Sequence, residues 1–251
     1  MHTQVNGITL AYNDRGSGLP IVFFHAFPLN RTILAEQEKA FSSQFRVVTI
    51  DLRGHGESEA PLWRYTLDQA ADDVIGLLDH LSIREAVFVG LSMGGYILFA
   101  LYRKYADRVK GLVLADTRAQ ADTAEGKQAR FQMAQTAYQK GPSAIADIMI
   151  PKLLSPATVQ TKPGLVRHVR AMIEGNQISG IAGDLMAMAE RSDSVTLLKQ
   201  ITCPTQIIIS ELDLPTPPSD AKLMADQIPN ARLTIIPAAA NLSNLEKPDI
   251  F

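Results

Sequence analysis

Short unbroken apolar runs recur along the chain: Ile21-Val22-Phe23-Phe24, Val47-Val48-Thr49-Ile50, Ala86-Val87-Phe88-Val89, Leu112-Val113-Leu114, Ile207-Ile208-Ile209 and Leu233-Thr234-Ile235-Ile236. Successive strand residues point to opposite faces, so such a run is apolar on both and suits a strand inside a parallel sheet. Ahead of them, Asn6-Gly7 is a hairpin-turn signal flanked by strand-like residues 2–5 and 8–13. Between the runs the period changes. Over 66–81, Leu67, Ala70, Ala71, Val74, Leu77, Leu78 and Leu81 keep three-and-four spacing, with Asp68, Asp72, Asp73 and Asp79 largely opposite. That is an amphipathic helix. Strand alternating with helix predicts an α/β architecture, a mostly parallel central sheet flanked by helices with right-handed crossovers.

From Leu114 to Ile207 the strand runs stop for about ninety residues. Segments 120–140, 142–150, 163–175 and 180–191 read as helices, separated by Gly141-Pro142, Pro151, Pro156 and Pro163-Gly164. The division expected is a core of residues 1–117 and 200–251 with a helical cap, 118–199, inserted late in the sheet. Methionines 133, 149, 172, 186 and 188 lie in that cap. They suit an adaptable pocket lining, or simply gap-filling core, which is the more ordinary use of the residue. Leu245 to Phe251 read as the start of a C-terminal helix cut short.

Composition narrows the function classes. A net charge of −2 with no basic stripe predicts no nucleic-acid partner. No stretch approaches the roughly 18 apolar residues of a membrane span. The N-terminus lacks the charged start and apolar run of a secretory signal. A cytoplasmic protein is therefore expected, with which the single Cys203 agrees. There is no metal-ligand cluster, dinucleotide fingerprint or phosphate loop, so no cofactor is implied.

One motif carries chemistry. Gly90-Leu91-Ser92-Met93-Gly94 follows an apolar run and precedes the helical stretch Tyr96–Tyr105. This is a G-x-S-x-G pentapeptide in the strand-to-helix context it requires. The turn lifts the Ser92 hydroxyl to a helix N-terminus, where the Met93 N–H can donate to a developing oxyanion.

With this elbow, His25-Ala26-Phe27-Pro28, Asp51-Leu52-Arg53-Gly54-His55-Gly56-Glu57-Ser58 and Glu211-Leu212-Asp213-Leu214-Pro215-Thr216-Pro217-Pro218, the chain resembles the α/β-hydrolase superfamily over nearly its whole length. It looks like the branch of small capped ester and lactone hydrolases similar to 3-oxoadipate enol-lactonase. The resemblance implies that Ser92 is the nucleophile and Phe27 supplies the second oxyanion N–H. It makes Asp213 the orienting acid, with Asp116 a lower-ranked alternative. At Ala26 the family usually has glycine.

The resemblance also exposes a departure. Where the family has Pro-Gly-x-Gly-His, this chain has Pro237-Ala238-Ala239-Ala240-Asn241. Asn241 thus occupies the catalytic histidine position. A carboxamide donates and accepts hydrogen bonds but cannot take the serine proton. In a serine protease, loss of the histidine costs about six orders of magnitude, and roughly 10³–10⁴ over water can survive. His25 and His55 suit backbone orientation better than base catalysis; His2, His80 and His168 are remote candidates.

Three functions follow: an ester or lactone hydrolase with strongly impaired turnover, a non-catalytic small-molecule binding protein on the same fold, or a lyase-like activity using the oxyanion hole. The expected partner is a small ester or lactone, with no membrane involvement; a homo-oligomer is compatible with this.

Overall fold

Asn6 and Gly7 take φ of 47° and 78°, the two positive values that a tight primed turn needs. They fold β1 (His2–Val5) back on β2 (Ile8–Arg15), with Val5 opposite Ile8. The computed structural model describes all 251 residues. β2 runs antiparallel to β4 (Arg46–Ile50), and the sheet is parallel from there on. It continues through β3 (Pro20–Phe24), β5 (Ala86–Leu91), β6 (Val109–Ala115), β7 (Thr205–Ser210) and β8 (Arg232–Ile236), giving the order β1-β2-β4-β3-β5-β6-β7-β8. Each apolar run lies within one of these strands.

From β3 the chain goes to β4 on one side, and from β5 it goes to β6 on the other. The order therefore reverses between β3 and β5, where Phe24 pairs with Gly90. In open α/β sheets ligands bind beyond the carboxyl ends of the strands at such a reversal.

Helices α1 (Ala35–Phe41), α2 (Leu67–His80), α3 (Met93–Tyr105) and α10 (Pro218–Gln227) connect the strands. α2 begins with a capping box in which Thr66 accepts from the Gln69 N–H and Gln69 answers the Thr66 N–H. This satisfies two otherwise orphan donors. Its apolar stripe is buried, with Leu67, Ala70, Ala71, Val74, Leu77 and Leu78 inside.

Between β6 and β7 lie α4 (Ala124–Lys140), α5 (Pro142–Leu153), α6 (Pro156–Thr161), α7 (Pro163–Glu174), α8 (Ile178–Ala189) and α9 (Val195–Leu198), with no strand among them. Several details differ from the sequence reading, among them α9, which no expected segment covers, and α8, which lies two residues earlier than expected. The first helix starts at Ala124, capped by Thr123, because Asp122 is occupied by Arg118, Arg130 and Arg191 and holds 118–122 as a loop. Pro151 does not end α5. A proline so near the C-terminus forfeits one backbone bond, while Ile150 and Leu153 are buried and keep the turn closed. And α6 is an additional short helix, with Ser155 as N-cap and Pro156 in the first turn. Met149, Met172 and Met188 are buried in the core, and Met133 packs against it.

After β8 a four-residue helix, α11 (Ser243–Glu246), forms earlier than the helix start expected at Leu245. The segment 247–251 is not helical. No helix is long and apolar enough to cross a membrane.

Candidate active site

Ser92 stands between β5 and α3 at φ 53°, ψ −110°, a strained conformation that persists because its surroundings enforce it. Its N–H donates to Ala115 O at 2.8 Å, and its carbonyl accepts from Gly95 N (2.9 Å) and Thr117 Oγ1 (2.8 Å). The flanking glycines are required by close approach. A Cβ at Gly90 would lie 2.6 Å from the Gly94 backbone, and one at Gly94 would lie 2.7 Å from Phe24 O. With the backbone so held, the serine side chain does not cap α3 and remains partly exposed.

The loop after β3 lies beside this elbow. His25 is fully buried and serves the backbone through both ring nitrogens: Nδ1 is 3.0 Å from Ala26 O and Nε2 accepts the Leu52 N–H at 3.1 Å. Burial lowers its pKa to about 4, so it is neutral at pH 7, and it is the two backbone bonds that leave neither ring nitrogen for the serine. Ala26 is absent from the residues with positive φ, so a methyl group is no burden where the family has glycine. Leu29 N donates to Ala26 O, which turns the chain around Phe27. Met93, as the first residue of α3, has an N–H with no partner within the helix.

Asp213 follows β7 and is buried. Its Oδ1 accepts the Thr216 N–H at 2.9 Å; its Oδ2 accepts Thr216 Oγ1 at 2.7 Å and Asn241 Nδ2 at 2.9 Å. Asn241, fully buried after β8, also donates from Nδ2 to Asp116 O at 3.2 Å. Its Oδ1 is buried with no partner. Asp116 sits at φ 44° after β6, its Oδ1 accepting the Ser210 N–H at 2.7 Å and its Oδ2 the Ser243 hydroxyl. Burial raises both carboxyls, Asp116 to about 8 with the Asp213 charge adding to the effect, and Asp213 to about 6. No cation neutralises this pair.

Thus Phe27, after β3, and Ser92 and Met93, after β5, follow neighbouring parallel strands at the β3/β5 reversal, and Asp213, Asp116 and Asn241 form one bonded group at the ends of β6, β7 and β8. His55 lies apart, packed 5.3 Å from the His25 ring and with Nδ1 3.3 Å from Asp184 Oδ2 on α8. Burial holds its pKa down at about 3 and pushes Asp184 up to about 7. His2, His80 and His168 are exposed. Sequence reasoning passed over Thr216, Thr117, Ser243 and Asn176. Thr216 lies in the same proline-rich turn as Asp213, where an aspartate side chain commonly accepts from the backbone just ahead of it, and here it accepts from the Thr216 N–H. Asn176 had no local signal: it spans from the helical insertion to Pro28 O (2.8 Å) and Gly56 N (2.7 Å).

The sequence profile of the alpha/beta hydrolase fold matches residues 20–248. The chain belongs to that family. Among curated α/β hydrolases it is 29% identical to 3-oxoadipate enol-lactonase 2 of Acinetobacter baylyi, over 98% of this chain and 90% of that protein. Among solved α/β-hydrolase structures, it superposes on a thermophilic esterase from Thermogutta terrifontis with a TM-score of 0.94 at 40% identity, covering 99% of this chain and 92% of that one. The enol-lactonase from Burkholderia xenovorans gives 0.93 at 32% identity, covering 99% and 95%.

Proposed function

We propose that this α/β hydrolase carries a serine-hydrolase site of the carboxylic ester and lactone class in which Asn241 takes the place of the base, so that hydrolysis is strongly impaired. In this reading Ser92 is the nucleophile, Phe27 and Met93 are the oxyanion donors, and Asp213 is the orienting acid. The ligand is a small ester or lactone handled without a cofactor, in a cytoplasmic protein. The observation that carries it is the Asn241 Nδ2–Asp213 Oδ2 bond of 2.9 Å: the acid is engaged as it would be by an imidazole, but its partner has no titratable nitrogen. The enol-lactonase and esterase relatives support the substrate class. The test is hydrolysis of a short-chain chromogenic ester by the chain and its Asn241→His variant, with and without Ser92→Ala.

A second reading has its own support. The buried Asn241 Oδ1 lacks a donor, and an unmet buried acceptor favours a ligand that brings an N–H or O–H. In a binding protein of this kind, Ser92→Ala leaves ligand affinity intact. A loss of binding on that substitution counts against it.

A further inference from the structure

The residues on either side of Asn241 are bonded to one joint of the helical insertion. Glu246, in α11, is only 3% exposed. Its Oε2 accepts the Ala240 N–H at 2.6 Å, immediately before Asn241. Its Oε1 accepts the Ser155 N–H at 2.9 Å and the Ser155 hydroxyl at 2.6 Å. Ser155 is the N-cap of α6, in the joint between α5 and α6. On the other side of Asn241, the Leu242 N–H donates to Leu153 O at 3.0 Å, in the last turn of α5. Lys162, at the far end of α6, donates from Nζ to Glu246 O at 3.2 Å.

A carboxylate is acceptor-only, and Glu246 faces three donors at once. Hydrogen bonds to an ionised group are short and about twice as strong as neutral ones. A glutamine here would turn an NH₂ group toward at least one of the same donors, leaving a buried N–H unmet.

We propose that Glu246 is a positioning residue: it fixes the residue at position 241 against Asp213 and couples that placement to the α5–α6 joint of the insertion. A displacement of that joint, as when a ligand enters, is transmitted to position 241 through Ser155 and Glu246. Its kinetic consequence rests on the hydrolase reading; the coupling itself does not.

The experiment has two arms. In the chain with its own Asn241, amide hydrogen exchange is compared with Glu246→Gln. Exchange at Ser155, Ala240 and Leu242 is expected to rise together by about tenfold or more. No rise, or a rise confined to Ser155, overturns the coupling. If Glu246→Gln does not fold, Ser155→Ala removes the hydroxyl bond to Glu246 Oε1 together with the α6 cap to the Thr158 N–H, while the Ser155 N–H bond to Glu246 stays; exchange at Ala240 should then rise about threefold, and an unchanged rate there overturns the proposal. In the second arm, Glu246→Gln is added to Asn241→His. The expected result is a fall in kcat of about 10²-fold with KM held within about threefold. Unchanged kcat, or kcat and KM altered only in proportion to unfolded protein, overturns the positioning role. Should Asn241→His alone bring no hydrolysis, the hydrolase reading fails, and the exchange arm still decides the coupling.

Discussion

The loop after β8 carries three consecutive alanines, and Ala238 alone among them has a positive φ, 53°. There a Cβ crowds the following carbonyl, at about 1–2 kcal/mol for an L-residue. The Ala238 N–H is meanwhile tied to Glu211 Oε2 at 2.9 Å, so the loop keeps its shape. Ala238→Gly is expected to stabilise the protein by about 1 kcal/mol after the added unfolded-state entropy of glycine is set against the relieved strain. Urea denaturation checks this; a midpoint unchanged or lowered would show that the loop has relaxed around alanine. The carboxyl pair beside it makes a second prediction. Asp116 and Asp213 have folded pKa values raised by burial above the ordinary carboxylate value. The folded state therefore holds more protons than the unfolded chain, and stability must fall with rising pH across that interval. The decline should run from about pH 4 to about pH 8. Asp116→Asn is expected to flatten it, because an amide can still accept from Ser210 N and donate to the Ser243 hydroxyl. A slope unchanged in Asp116→Asn would assign the decline to other groups.

At the scale of elements, the insertion is held close to the core by a backbone approach. A Cβ at Gly180, near the start of α8, would overlap Gly54 O in the loop after β4, and Gly54 itself sits at φ 87°. Gly180→Ala is therefore expected to destabilise the fold by about 1–3 kcal/mol, as overpacking does, read from denaturant midpoints. A loss below about 0.5 kcal/mol would mean that α8 shifts freely. The elements themselves were largely legible. Runs such as Ile21–Phe24 and Ile207–Ile209 announce strands because burial on both faces leaves no polar alternation. The α2 stripe announces a helix by its period, and the elbow by its glycines. What escaped was set by contacts distant in the chain. Glu246 meets Ser155 across 91 positions, and Asp116 meets Ser210 across 94; no local pattern marks either pair. Pro151 was misleading for the opposite reason, since a local breaker is overruled by the burial of Ile150 and Leu153.

In the whole molecule, the sheet reversal between β3 and β5 brings the Phe27 loop beside the Ser92 elbow, while β6, β7 and β8 deliver Asp116, Asp213 and Asn241 to the same edge. Every part of the proposed hydrolase site except a base is thus supported by rigid elements, and His25 is already committed to Leu52 and Ala26. A positioned general base contributes about 10²–10⁴-fold. The most direct measurement is the hydrolysis rate of a short-chain chromogenic ester by the chain and by Asn241→His, each verified as folded. A gain of about 10²-fold or more, abolished by adding Ser92→Ala, is the expected result. Equal and negligible rates in the two folded proteins would contradict it, and would turn attention to ligand binding.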